Sequence, residues 1–182
     1  LKNLNGCGDG GYLTTNNKNF YLKATQLRNH GLSNRNLVKK FGFLSRMDVL
    51  QSVILNYRIK NLKQTIIKRR KNAKLYFENL NQKKIFFPIE KKEEFNTYHT
   101  FVIQVNNRDK LIRYLASKGI QTAIHYPIPL HLQPASKYLN YKKGNFPATE
   151  VQAKKILTLP IHQNLKEKEI LYIIKNVNNF FK

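Results

Sequence analysis

Apolar positions recur along the chain with two distinct periods, one helical and one extended. Between residues 45 and 80, Leu50, Val53, Ile54, Tyr57, Leu62, Ile66, Ala73, Phe77 and Leu80 fall at spacings near three and four. That is the stripe of an amphipathic helix. Ser45 or Asp48 can cap its start, and no proline or glycine lies inside it. One helix of that length extends about 50 Å at 1.5 Å per residue. It is too long for one lobe and is expected to link two. The same periodicity predicts a helix opening at Asn16–Asn17, carrying Phe20, Leu22, Ala24 and Leu27, and stopping at His30–Gly31. It predicts another from Arg108 to Lys118 closed by Gly119, one entered at Phe146–Pro147 with Thr149 near the cap and continuing to Leu157, and a last one from an Asn164 cap through Ile170, Ile173, Ile174 and Val177.

Period two and β-branched or aromatic content mark Tyr98–Val105 as a strand and Ile120–Tyr126 as another, so that the intervening helix completes a β-α-β arrangement. Shorter extended pieces are expected at Gly11–Thr15, Ile85–Pro88 and Leu159–Ile161, whereas residues 32–43 and 91–96 read as loops. The chain changes character near residue 82, where a smaller α/β lobe begins.

Composition modifies this picture in a few places. With 182 residues, 41% of them hydrophobic, the chain can bury a real core. A net charge of +23 raises the possibility of a nucleic-acid-binding module. The basic residues are dispersed among asparagines, lysine outnumbers arginine, and no Arg-rich or aromatic-glycine recognition motif is present, so a solvated face is the simpler reading. The single Cys7 excludes an intrachain disulfide and a cysteine-based zinc cluster. His125 and His131 lack a neighbouring Cys or carboxylate set with ligand spacing, so no metal is expected. No stretch has the zones of a signal peptide, and no apolar run approaches the roughly 18 residues of a membrane span. A soluble, cytoplasmic protein without a membrane partner is therefore expected. The start at Leu1, without an initiator methionine, is that expected of a piece of a longer polypeptide.

Two stretches carry candidate chemistry. The first is Lys2-Asn3-Leu4-Asn5-Gly6-Cys7-Gly8-Asp9-Gly10-Gly11, a lysine on a glycine-rich turn running into a β-prone stretch. Such a turn can present an amine to a planar cofactor, although on the residues alone solvated surface is the ordinary reading of a lysine. Gly8, Gly10 and Gly11 permit positive φ or close backbone approach, Asp9 can bond turn amides, and Cys7 reads as a small turn residue. The second is His125-Tyr126-Pro127-Ile128-Pro129-Leu130-His131, a stiff loop that ends a strand, where functional side chains and ordinary surface histidines both occur.

Taken together, Lys2-Asn3-Leu4 with Gly8-Asp9-Gly10-Gly11, Arg28-Asn29-His30-Gly31, Ser45-Arg46-Met47-Asp48, Arg69-Arg70 with Ala73 and Tyr76, His125-Tyr126-Pro127, His131-Leu132-Gln133-Pro134, Phe146-Pro147 with Glu150, and Leu159-Pro160-Ile161 resemble the DegT/DnrJ/EryC1/StrS family of sugar aminotransferases. The match is collinear over essentially the whole chain. It implies an α/β protein, the C-terminal portion of a fold-type I aminotransferase using pyridoxal 5'-phosphate, normally a homodimer with active sites at the subunit interface. It further implies that residues 1–45 end the large cofactor-binding domain, 46–81 form the linking helix and 82–182 the small domain, the rest of the large domain lying before Leu1.

The resemblance also implies roles. Lys2 matches the lysine that forms a Schiff base with the cofactor and then moves a proton between donor carbon and cofactor. That amine must be neutral to attack an aldehyde, which demands desolvation or neighbouring positive charge. Ser45 and Arg46 lie at the family's cofactor-phosphate contact, where Leu44 stands in place of a frequent asparagine that reaches the neighbouring subunit's site. Leucine cannot donate that bond, leaving Ser45, Arg46 or a backbone amide to substitute. His125 and Tyr126 match the loop at the mouth of the active site and are implied to bind the nucleotide-sugar. Arg35 is a candidate for its pyrophosphate, with a solvated arginine as the alternative. The implied reaction moves an amino group, from an amino-acid donor such as glutamate, to a nucleotide-linked keto-6-deoxy-sugar, with C3 favoured over C4, for polysaccharide or glycoconjugate synthesis. The chain alone is expected to be inactive. A nucleic-acid-binding module and a non-catalytic remnant are the alternatives.

Overall fold

A computed structural model describes residues 2–182. The chain divides into two units, Leu1–Leu62 and Lys63–Lys182.

In the first unit, α1 (Lys18–Leu27) opens where expected: the Asn17 carboxamide oxygen accepts the Phe20 N–H at 3.0 Å. The helix ends at Leu27, and the chain turns back through His30 and Gly31, both with positive φ. A Cβ on Gly31 would lie 1.5 Å from the Lys40 carbonyl oxygen, so only glycine fits there. The segment expected as a loop contains a small hairpin, β1 (Leu32–Asn34) against β2 (Leu37–Val38). Conversely, Gly11–Thr15 forms no strand and is exposed throughout. Strand propensity without a partner edge does not make a strand.

The expected single helix over 45–80 is two helices, α2 (Val49–Ile59) and α3 (Leu62–Asn79), separated by a turn at residues 60–61. The reason lies in the apolar stripe itself. Leu62 follows Tyr57 by five positions, which at 3.6 residues per turn rotates the stripe by about 140° off a shared face.

The second unit is built on a three-stranded antiparallel sheet, ordered β3 (Ile85–Phe86), β4 (Phe101–Val105), β5 (Ile156–Leu159). Alternation along β4 buries Phe101, Ile103 and Val105. Leu111 and Leu115 of α4 (Arg108–Ser117) join them in one apolar core, together with Ile170, Ile173, Ile174 and Val177 of α6 (Glu167–Phe180). The Ile120–Tyr126 strand is reduced to one bridge, Ala123 with Thr158. Because both β4 and Ala123 run antiparallel to β5, the expected β-α-β unit is a split one, with β5 inserted in its middle. The proline-rich loop contains short 3-10 turns at Leu130–Leu132 and Pro134–Leu139. In α5 (Pro147–Lys155) Pro147 occupies the first turn and Phe146, not Thr149, precedes it; the helix stops at Lys155 and gives way to β5. Likewise α6 is capped at Lys166 rather than Asn164, with the Glu169 carboxylate accepting the Lys166 N–H at 2.7 Å.

The buried face of α3 is polar at one end. Arg69, only 2% exposed, donates to the Gln163 side chain and to the carbonyls of Tyr98 and His99, while Asn72 and Tyr76 donate to the carbonyls of His162 and Pro160. Burial lowers the Arg69 pKa and raises that of Tyr76. Next to it, Arg70 grips Glu90 through two hydrogen bonds of 2.7 and 2.9 Å. Arg70, helped by the Asn96 N–H, brings the Glu90 pKa down to about 2. Among the described residues no helix is long and apolar enough to cross a membrane.

Candidate active site

The Lys2 turn is fastened to α2 by side chains that its own sequence does not supply. Arg58 Nη1 donates to the Asn5 carbonyl at 2.6 Å, and the Cys7 N–H donates to Gln51 Oε1 at 2.7 Å. Close approach of Gln51, and not positive φ, is what Gly6 and Gly8 accommodate. A Cβ would meet Gln51 Oε1 at 2.5 Å from Gly6 and Gln51 Nε2 at 3.1 Å from Gly8, and Met47 Sδ at 2.8 Å from Gly10. Gly11 has nothing within 4 Å, and none of these four has positive φ. Asp9 makes no hydrogen bond among the described residues; Gln51 takes the role expected of it. The outcome is an exposed Lys2 at the start of a turn whose backbone is held at two points.

Ser45 lies in an extended segment against the end of α1, next to the Asn29–Leu44 bridge, and its N–H donates to the Arg28 carbonyl at 2.9 Å. That amide is therefore not available to replace the donor missing at Leu44. The Ser45 hydroxyl and the exposed Arg46 guanidinium are the groups left at this position. Arg35, at the tip between β1 and β2, is exposed.

In the second unit, His125 and Tyr126 come together at one wall of a cavity of about 640 Å³. Their rings meet edge to face at 5.4 Å, and Tyr126 is 71% exposed. Besides these two, its lining has the polar residues Gln133, Thr149 and Gln152, and the apolar residues Pro127, Pro129 and Ile156 among others. No Lys, Arg, Asp or Glu is among the residues lining it. Such a cavity accepts an uncharged ligand portion, with amides and hydroxyls for its polar groups and prolines for its apolar faces.

The cavity loop is itself anchored. His131 Nε2 and Glu150 Oε1 are 3.0 Å apart, with side chains 7% and 12% exposed. Glu150 also accepts the Gly144 N–H at 2.7 Å, and Phe146 packs on the His131 ring at 4.8 Å. The Gly144 N–H, and after it His131, hold the Glu150 carboxyl below the usual carboxylate range. A second cavity, of about 470 Å³, has three cations on its wall, each already paired: Arg70 with Glu90, Lys71 with Glu167 and Lys74 with Glu78. No group of three or more potential metal-ligating side chains occurs among the described residues.

A model of the DegT/DnrJ/EryC1/StrS aminotransferase family matches residues 1–178. The chain belongs to this family. It is 35% identical, over 94% of its length and 47% of the relative's, to the dTDP-3-amino-3,6-dideoxy-alpha-D-galactopyranose transaminase of Aneurinibacillus thermoaerophilus. It is 34% identical, over all of its length and 50% of the relative's, to a protein of Geobacillus stearothermophilus named pleiotropic regulatory protein. The crystal structure of S. venezuelae DesV in complex with a ketimine intermediate superposes with a TM-score of 0.92 at 29% identity, covering 98% of this chain and 48% of that one. The fold is thus the C-terminal part of a pyridoxal-phosphate aminotransferase, and the chain spans about half the length of the curated relatives it matches. Pyridoxal 5'-phosphate is the cofactor of the family.

Sequence patterns pointed to Lys2, Ser45, Arg46, Arg35, His125 and Tyr126. They missed the supports: Gln51 and Arg58 under the Lys2 turn, and Thr158 behind His125. Gln51 lies three residues beyond Ser45-Arg46-Met47-Asp48, and the partner of its carboxamide, a backbone N–H 44 residues away, leaves no trace in local pattern.

Proposed function

We propose that the whole protein transfers an amino group, from glutamate as donor, to a nucleotide-linked keto-6-deoxy-sugar with the carbonyl at C3, for polysaccharide or glycoconjugate synthesis, and that it does so as a homodimer. The observation that carries this reading is the family match over residues 1–178, which takes in both the Lys2 turn and the His125–Tyr126 cavity. The relative from Aneurinibacillus thermoaerophilus, whose name puts the amino group at C3 of a dTDP-linked 6-deoxy sugar, supports the finer assignment. So does the cavity without charged lining, which suits a neutral deoxy-sugar.

The residues present fit the cofactor at the one point where they bear on it. Lys2 offers an amine on a turn whose backbone is clamped at Asn5 and Cys7, a fixed position from which attachment through an aldehyde can start, while the desolvation that attack demands would come from outside this chain. When bound, pyridoxal phosphate supplies the electron sink for the charge left on a deprotonated carbon. Lys2 Nζ takes the proton from the α-carbon of the donor, and in the return half of the reaction delivers one to C3 of the sugar. His125 and Tyr126 hold sugar hydroxyls by hydrogen bonds and restrict the orientation of the ring. Ser45 and Arg46 contribute to a phosphate site, and Arg35 to binding of the substrate's diphosphate. The domain arrangement that goes with this reading is 1–45 as the end of the large domain, 46–81 as a helical link and 82–182 as the small domain. The 182-residue chain by itself is inactive, because Lys2 lacks the rest of the cofactor site.

Incubating the whole protein with glutamate, pyridoxal phosphate and a dTDP-linked 3-keto-6-deoxy-hexose tests the reading. The expected result is an amino-sugar nucleotide, identified by mass spectrometry. No product, together with tight and steeply salt-dependent binding to DNA, would instead support the nucleic-acid alternative.

A further inference from the structure

Behind His125 stands a side chain to which neither the family match nor any sequence motif gives a role. Thr158 Oγ1 lies 2.9 Å from His125 Nδ1. Thr158 is a buried residue of β5, only 8% exposed, and its backbone is fixed on both sides: it pairs with Val102 of β4, and its N–H and carbonyl bond Ala123 at 2.8 and 3.2 Å. The hydroxyl is therefore carried by one of the most constrained positions of the sheet, while the histidine it touches is exposed at the cavity wall. Among the described residues His125 Nε2 has no hydrogen-bond partner.

We propose that Thr158 is a positioning residue. Its hydroxyl holds the His125 ring in one orientation, with Nδ1 occupied by the sheet and Nε2 left for a hydroxyl of the sugar. This rests on the reading of His125 as a substrate-binding residue. Without the bond the imidazole is free to rotate about χ1 and χ2, and the ordering is then imposed at each binding event, which weakens ground-state binding of the sugar. Both tautomers satisfy the geometry. If the hydroxyl donates to Nδ1, Nε2 is a donor; if Nδ1–H donates to Oγ1, Nε2 is an acceptor. In either case the bond to Thr158 holds the ring in the same orientation and leaves Nε2 for the sugar.

The test uses the whole protein with four variants: Thr158→Val, which removes the hydroxyl at constant shape and keeps β propensity, Thr158→Ala as a second hydroxyl-free variant, Thr158→Ser, which keeps the hydroxyl, and His125→Phe. The loss of one hydrogen bond of ordinary strength predicts a KM for the keto-sugar about fivefold higher in Thr158→Val and Thr158→Ala. The kcat and the KM for glutamate stay within about twofold by the same argument. Thr158→Ser restores the KM. A raised sugar KM in His125→Phe with an unchanged one in Thr158→Val and Thr158→Ala overturns the proposal while leaving the site reading intact. An unchanged sugar KM in His125→Phe removes the site reading, and the proposal with it. Failure of Thr158→Ser to restore the KM also overturns it, because the methyl rather than the hydroxyl would then be what matters.

Discussion

Residues 63–182 bury an apolar core of their own, whereas in residues 2–62 the only buried residue among those described is Gly31. The difference is not one of composition. The first unit carries Tyr12, Phe41, Phe43, Leu44 and Val49, but they are exposed, Phe41 to 96% and Tyr12 to 90%. Its α1 and α2 contain no buried residue. In the second unit Tyr76, Ile103, Leu111 and Leu157 are fully enclosed. Apolar surface left open on this scale is ordinarily an interface. The lesson is that one stretch of chain can hold a site in shape by local bonds, such as the Gln51 and Arg58 clamp, while lacking the burial that makes a domain stable. The chemistry proposed for Lys2 sits on the unit without a core, and the loop proposed to bind the sugar on the unit with one.

The sharpest way to separate the two is to remove function without touching stability. Lys2→Ala in the whole protein is expected to lower the amino-transfer rate by about 10²–10⁴, the range for a lost proton-transfer group, with an unchanged melting temperature of the cofactor-free protein. A combined loss of activity and melting temperature would mean that the turn is structural. Phe41→Ala should then behave differently in two contexts. In the 182-residue chain it changes stability by no more than about 0.5 kcal/mol, as expected at a surface. In the whole protein, if the missing residues or the second subunit cover it, the cost is about 3 kcal/mol or more. Equal and small effects in both, by urea unfolding, would leave the exposed face without a cover.

In the second unit the effect requires no other context. Ile103→Ala is expected to destabilise the isolated chain by about 2–5 kcal/mol, measured by the same unfolding curves. The smallest effect is that of acid. Glu90 has its folded pKa near 2, against an ordinary value of 4.5, because Arg70 and the Asn96 N–H stabilise the carboxylate. Its contribution is therefore complete above the unfolded value and is lost as pH falls from 4.5 towards 2. The melting temperature of Glu90→Gln should fall less steeply over that window than that of the parent; parallel curves would count against the pair.

Much of this was legible in the chain itself, and the misses have physical causes. The α1 cap at Asn17, the strand at Phe101–Val105, the helix stop at Gly119 and the amphipathic α6 were all readable, because each depends on local residues. The break between α2 and α3 was also written in the five-residue interval from Tyr57 to Leu62, but an unbroken run without proline or glycine masks a phase slip. Pairing was not legible. Nothing around Gly11–Thr15 says that no strand lies beside it, and nothing around Ala123 says that β5 will enter between it and β4. At the site, Lys2 and the His125–Tyr126 pair could be singled out by motif. Gln51, Arg58 and Thr158 could not, since their partners lie 44, 53 and 33 residues away.

The central claim, that Lys2 is the residue to which the cofactor is attached, is tested most directly by trapping. The whole protein, loaded with pyridoxal phosphate, is reduced with borohydride, digested and mapped by mass spectrometry. The account predicts the reduced pyridoxyl group on the peptide containing Lys2 and its loss in Lys2→Ala. A pyridoxyl group fixed to any other lysine, or none in a protein that still transfers the amino group, would contradict it.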